Sequence, residues 1–232
     1  MAAEMSWVKY FEDLCRTGPP WMDYSNDRVQ VQTLGTAIEM SGHVVGRRCL
    51  DVGCGQGQLV RMLLGLGARD VVGVDHAAEH IGRLVAQYPE ASWHAGDISS
   101  ESFRAQLGSF DLIYLLEVLQ YLPVPEIFDG LWAMLAPGGR ILATFPNEDC
   151  PITKRTVQRF DGRYVPPPIQ PLLAWARCAP GLETFGVRGF DFESDQRLAP
   201  YALSSWTRDG HWAGKLPNRL QFVIQKQPID AR

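Results

Sequence analysis

No stretch of this 232-residue chain approaches the ~20 consecutive apolar residues that a membrane-spanning helix needs. The opening residues, "MAAEMSWVKYFEDLC", lack the apolar core of a signal peptide, so no export is expected. Cysteine is sparse: Cys15, Cys49, Cys54, Cys150 and Cys178 form an odd set without a C-x-x-C pair. That argues against a disulfide framework and a cysteine zinc site, and predicts a reducing cytoplasm and no bound metal. Basic charge is also short, with 22 Lys and Arg against 26 Asp and Glu and a net charge of −4. Such a balance gives no general attraction for nucleic acid or an anionic membrane. Repeats, linkers and low-complexity tracts are missing too, which predicts a single domain over residues 1–232.

What is present is an alternation of strands and helices between residues 27 and 147. "RRCLDV", "VVGVD", "ASWHAGD", "FDLIYLL" and "RILATF" read as five successive strands. All but the third are near-continuous apolar runs, as expected of strands buried on both faces of a parallel sheet. Between them, "GQLVRMLLGLG" places Leu59, Leu63 and Leu66 on one helical face, and "AAEHIGRLVAQY" places Ile81, Leu84 and Val85 on another, with His80 pointing outward. "SESFRAQL" and "PEIFDGLWAML" supply two further helices. The pattern predicts a doubly wound α/β fold, Rossmann-like, with ligands at the carboxyl ends of the strands. After residue 148 come a short helix, a strand, an aromatic-rich loop from Phe192 to Pro217 and a last strand, "RLQFVIQKQ".

The stretch "CLDVGCGQGQLVRMLL" carries the first chemical signal. A dinucleotide fingerprint requires G-x-G-x-x-G. Here Gly53, Gly55 and Gly57 give G-x-G-x-G, and Gln58 stands where the third glycine would fall. Asp51, two residues earlier, would repel a pyrophosphate and suits a ligand with an ammonium or sulfonium group. Asp75 ends the second strand, where a carboxylate accepts both ribose hydroxyls of an adenosine. Asp97 ends the third, within reach of an adenine amino group. Three acids on three successive strand ends fit an adenosine with a cationic tail.

Taken together, "LDVGCGQG", "VVGVD", "AGDI", "FDLIYLLEVLQYL" and "LAPGGRILATFPN" resemble the class I S-adenosylmethionine-dependent methyltransferases over residues 48–147. The resemblance implies a mostly parallel sheet with an antiparallel last strand, and S-adenosylmethionine as cofactor, released as S-adenosylhomocysteine. It implies that Asp51, Gly53, Gly55 and Gly57 border the methionine part. Cys54 is a small residue that fits the same turn. Asp75 would hold the ribose, His76 flank the adenine, Asp97 and Ile98 face the adenine edge, and Leu116 and Glu117 line the cofactor. Tyr121 departs from the family, which often has a histidine there.

Topology then narrows the acceptor side. The segments after the fourth and fifth strands carry Gln120, Tyr121 and Asn147, and "KRTVQRFDGR" carries Arg155, Arg159 and Arg163 four apart, where they would share a helical face and could grip a phosphate or carboxylate of the acceptor. The turn between the last two strands falls on the same edge and carries Tyr201, Trp206 and His211. His211, with an ordinary pKa near 6.5, and Tyr121 are the catalytic candidates. Residues 1–26, with Trp7, Tyr10, Phe11, Trp21 and Tyr24, would fold over the site as a lid or simply cover the sheet. Residues 27–147 would form the cofactor-binding core, and residues 148–232 the acceptor-binding elements and last two strands. The expected reaction is methyl transfer to a hydroxyl or amine of a small molecule. The rivals are a protein or nucleic-acid methyltransferase, a nicotinamide-dependent oxidoreductase, and a non-catalytic cofactor-binding protein.

Overall fold

The strands of the computed structural model are β1 (Arg48–Val52), β2 (Asp70–Asp75), β3 (Ser92–Ala95), β4 (Phe110–Leu116), β5 (Leu135–Pro146), β6 (Leu182–Phe192), β7 (Ser205–Thr207) and β8 (Pro217–Lys226). The helices are α1 (Trp7–Thr17), α2 (Arg28–Ser41), α3 (Gln58–Gly65), α4 (Ala78–Gln87), α5 (Glu101–Leu107), α6 (Ile127–Met134), α7 (Pro151–Arg159) and α8 (Ile169–Cys178). The structure describes residues 7–17, 28–160, 164–192, 205–207, 209–210, 212 and 216–229. Among these, no helix is long and apolar enough to cross a membrane.

The eight strands form one sheet in the order β3-β2-β1-β4-β5-β8-β6-β7. β1 to β5 pair in parallel, and β8 inserts antiparallel between β5 and β6. The short edge strand β7, which the sequence pattern does not reveal, pairs antiparallel with β6. The order reverses between β1 and β4, and a crevice opens beyond the carboxyl ends of strands at such a switch.

Successive residues of each strand serve opposite faces. Leu50 and Ile113 pack with Phe128, Leu131, Leu173 and Phe222 on one side. Cys49 and Tyr114 pack with Ala37, Leu63, Ile81 and Leu142 on the other. Tyr114 is fully buried, so its hydroxyl needs a partner. It donates to Ser41 Oγ at 2.7 Å, and that oxygen donates in turn to Ala37 O.

Two helical faces differ from the expected ones. Ala77, just before α4, and His80, Ile81 and Leu84 within it follow the i, i+3, i+4, i+7 stripe and are buried. Val85 falls outside that stripe and is 51% exposed, whereas His80 points inward. Burial, only partly opposed by the carbonyl of Gly55, pushes the His80 pKa down and keeps the ring neutral. In α3, Val60 joins Leu59 and Leu63 in the core, while Leu66 lies past the helix end and is exposed. His43 and His94 are exposed and away from the crevice.

Candidate functional site

The glycine turn links β1 to α3 and is pinned to β2. The amides of Gly53 and Cys54 both donate to Val74 O, at 2.8 and 3.0 Å. Gly53, Gly55 and Gly57 have φ of 71°, 51° and 74°, a region that other residues enter at a cost. The three glycines nevertheless serve different ends. A Cβ on Gly53 would strike Val118, and one on Gly55, which lines the crevice, would meet nothing nearer than Gly53 O at 4.0 Å. A Cβ on Gly57 would lie 2.6 Å from the Trp93 ring. Gly57 therefore makes room for core packing and does not border the crevice as the sequence reading expects. Trp93 also fills the space above Gly73, and its indole N–H donates to Tyr88 O. Gly57→Ala should cost about 2–4 kcal/mol, adding left-handed strain to overpacking. A denaturant midpoint unchanged by this substitution would contradict the packing argument.

Beyond the turn lies a cavity of about 590 Å³. One half is built by the ends of β1, β2 and β4 and the loop after β3. Gly53, Gly55, Asp75, His76, Ile98 and Leu116 line it. Asp75 takes the N–H of Gly55 on one carboxylate oxygen (3.1 Å) and that of Ala77 on the other (3.0 Å). Each oxygen keeps a lone-pair direction for a ligand hydroxyl. His76 reaches Asp97 at 3.3 Å across the rim, and Asp97 also accepts from the Ser99 amide. Asp97 itself is exposed and does not line the cavity; its neighbours Gly96 and Ile98 do.

Asp51 and Cys54 face a small adjoining space that shares Gly53 and Leu116 with the main cavity. Asp51 is 3% exposed. Burial, reinforced by the nearby Asp75 charge, pushes its pKa up to about 7. A buried carboxylate with no compensating hydrogen bond is costly, and a cationic ligand group beside it removes that cost. These residues fit an adenosine carrying an ammonium-bearing tail: a carboxylate for hydroxyls, an open glycine backbone, an apolar wall at Ile98 and a buried acid.

The other half of the cavity is aromatic. α1 presents Trp7, Tyr10 and Phe11 at i, i+3 and i+4, so its rings share one face. They meet Tyr121 from the turn after β4, Phe160 at the end of α7, and Tyr164. Ring centroids lie 5.0 Å apart for Trp7 and Tyr121, 5.1 Å for Phe11 and Tyr121, and 6.1 Å for Phe160 and Tyr164. Burial is the main reason Tyr121 is pushed up to about 12, so its phenol stays protonated near neutral pH. It can donate a hydrogen bond but is no base there.

Glu117 stands where the two halves join. It is the one non-glycine residue with positive φ among the described residues, at 56°. Its amide donates to Thr144 O, and its carbonyl accepts from Gln120 Nε2 at 2.7 Å. Its carboxylate meets Arg219 Nε at 2.9 Å, with side-chain exposures of 12% and 20%. Both residues line the cavity.

Other acceptor-side expectations fare differently. Asn147 is buried and lies outside the cavity; its amide donates to Pro217 O and its carbonyl accepts from Asp149 N, tying β5 to β8. Arg155 does not line the cavity, whereas Thr156, Arg159 and Phe160 do. Gln120 lines it as expected. Trp206 pairs through its backbone with Arg188 at the sheet edge. Tyr24, Tyr201 and His211 lie outside the described residues. The sequence reading includes Arg159 among the three spaced arginines but misses Tyr164 and Arg219. The one available signal is the position of Arg219 at the start of a strand whose first residues fall on the active edge.

A family model described as a methyltransferase domain matches residues 49–139. The ubiquinone biosynthesis O-methyltransferase of Bordetella avium (strain 197N) is 30% identical over 187 residues, which cover 73% of this chain and 75% of that protein. The protein of the same name from Burkholderia orbicola (strain MC0-3) is 31% identical over 116 residues, covering 48% of this chain and 50% of that one. The chain thus spans about half the length of the Burkholderia relatives it matches. Among solved structures, the N-methyltransferase NodS from Bradyrhizobium japonicum WM9, in complex with S-adenosyl-L-homocysteine, superposes with a TM-score of 0.66 at 19% identity, covering 94% and 97% of the two chains. A possible histamine N-methyltransferase from Thermotoga maritima gives 0.67 at 15% identity, covering 95% and 99%. At these identities the structural likeness concerns the fold alone.

Proposed function

The chain belongs to the class I S-adenosylmethionine-dependent methyltransferases, and on that premise we propose that it methylates a hydroxyl of a small, planar acceptor held in the aromatic half of the cavity. One observation carries this reading: a single cavity runs from Asp75 and the glycine turn, past Glu117, to six aromatic rings. The preference for oxygen draws on the O-methyltransferase relatives.

When bound, S-adenosylmethionine supplies an electrophilic methyl: the acceptor oxygen bonds to it as the sulfur–methyl bond breaks and that electron pair stays on sulfur. The chain's own part is to bind, align and dispose of a proton. Asp75 would accept the ribose hydroxyls, and Asp51 would face the ammonium end. The rings of Trp7, Phe11, Tyr121 and Phe160 would fix the acceptor's plane and exclude water. Holding two reactants in line can be worth about 7–11 kcal/mol of the barrier. Glu117, at the junction, would accept the hydroxyl proton, and Arg219 would hold its carboxylate in place.

Calorimetry tests the reading. S-adenosylmethionine and S-adenosylhomocysteine should bind and NAD should not. Asp75→Ala should weaken binding by about 1.5–3 kcal/mol, the size for hydrogen bonds to a charged group. Tight binding of NAD alone would overturn the cofactor assignment. Failure to methylate any phenolic acceptor by the loaded protein would overturn the acceptor assignment.

A further inference from the structure

We infer that the acceptor carries a carboxylate beside its aromatic body, and that Arg159 binds that group at the edge of the aromatic half. This rests on the acceptor assignment above and specifies its chemical class. Thr156, Arg159 and Phe160 occupy one face of α7 at i, i+3 and i+4, and all three line the cavity. Phe160 is itself part of the aromatic wall, 6.1 Å from Trp7 and 6.3 Å from Tyr10 between ring centroids. A guanidinium on the adjoining residue is thus next to the surface that would hold the acceptor ring.

The other charges around the cavity are already matched. Asp75 takes two backbone N–H groups. Glu117 pairs with Arg219, and His76 with Asp97. Asp51 belongs to the end that would hold the cofactor's ammonium. Arg159 makes no ion pair or hydrogen bond among the described residues. Among the described residues, the aromatic half is therefore left with one unmatched positive charge. A protonated amine would meet repulsion there, and a neutral ring would leave the guanidinium unused. A carboxylate matches its planar fork with two parallel N–H···O bonds.

A cation in the last turn of a helix also complements the helix dipole, which accounts for an arginine near the end of α7. It does not account for the position: Arg155, one turn earlier on the same side of α7, does not line the cavity, whereas Arg159 does.

The test is calorimetric titration of the protein saturated with S-adenosylhomocysteine. The probes are meta-hydroxybenzoate, its amide meta-hydroxybenzamide, and phenyl phosphate. The acid should bind about tenfold or more tightly than the amide, as expected for a charge-assisted contact. Added salt should narrow the gap, because Arg159 is open to solvent. Arg159→Gln should abolish the preference, Arg159→Lys should retain part of it, and Arg155→Gln should retain all of it. Equal affinity for acid and amide, or a preference that survives Arg159→Gln, would overturn the inference. Phenyl phosphate binding as tightly as the acid would overturn the carboxylate assignment in favour of a phosphate. Methyl transfer is scored separately. A neutral phenol methylated as readily as the acid sinks this inference and leaves the proposed reaction standing. A clear acid preference without transfer to any hydroxyl supports the anion site and sinks the proposed reaction.

Discussion

Asp51→Asn should make the ligand-free protein more stable above pH 7 while weakening cofactor binding about a hundredfold. The two effects share one cause. Asp51 is buried, and its pKa is raised from 3.8 to about 7. A carboxyl that is harder to ionise when folded favours the fold at low pH. That advantage is lost as pH climbs from about 4 to about 7. Above pH 7 the folded protein carries the full cost of the ionised group, on the order of 4 kcal/mol. Asparagine does not titrate, so the gain in Tm over wild type should be largest above pH 7 and shrink towards pH 4. For a domain of this size the gain should be about 5–10 °C. The same substitution removes the counter-charge for a ligand ammonium, a loss of about 2–4 kcal/mol in a desolvated site. Proton release gives an independent check. A cation beside Asp51 favours its ionised form, so cofactor binding near pH 6.5 should release part of a proton, read by calorimetry in buffers of different ionisation enthalpy. Binding without proton release, together with unchanged affinity in Asp51→Asn, would remove Asp51 from the site.

The half of the crevice proposed to hold the cofactor is written locally in the sequence. Apolar runs set the strands, and each strand end delivers its residue to the same edge. Asp51, Asp75 and Glu117 could therefore be assigned to that edge from chain order alone. The limits of such reasoning show at Gly57 and His80. A glycine in a turn invites a ligand contact, yet Gly57 yields to Trp93 from another strand. Gly73, inside a β-strand, was the clue that a large side chain lay close by. His80 looked outward by polarity, but the register of α4 turns it towards the sheet. The aromatic half is different in kind. It depends on α1 crossing to Tyr121 and Phe160, and on Arg219 meeting Glu117 across more than 100 residues of chain. No periodicity within a segment encodes such contacts. The aromatics of residues 1–26 are plain in the sequence, but their presence does not say which surface they cover.

Glu117→Gln should lower kcat by about 10²–10⁴ with a hydroxyl acceptor, the usual contribution of a positioned proton acceptor. KM for the acceptor and cofactor affinity should change far less, because glutamine keeps the shape and can still accept a hydrogen bond from Arg219. The low-pH limb of the kcat profile should disappear in the variant, since no titrating group remains at the junction. A structural reading of Glu117 predicts a different pattern: loss of stability, with kcat nearly intact in the folded fraction. Glu117→Gly separates the two. The wild-type backbone is held at φ 56°, which costs a non-glycine residue about 1–2 kcal/mol. Glycine relieves that strain while losing the ion pair to Arg219, so the two changes oppose each other and Tm should move little. Turnover should nevertheless fall as far as in Glu117→Gln. Strain kept in the native protein against a stable alternative would then be explained by the placement of one carboxylate between cofactor and acceptor. A Glu117→Gln enzyme with kcat within threefold of wild type and an unchanged pH profile would rule out the carboxylate as the proton acceptor. The hydroxyl proton would then have to leave through water admitted past the aromatic wall, and Trp7→Ala would be expected to speed transfer rather than slow it.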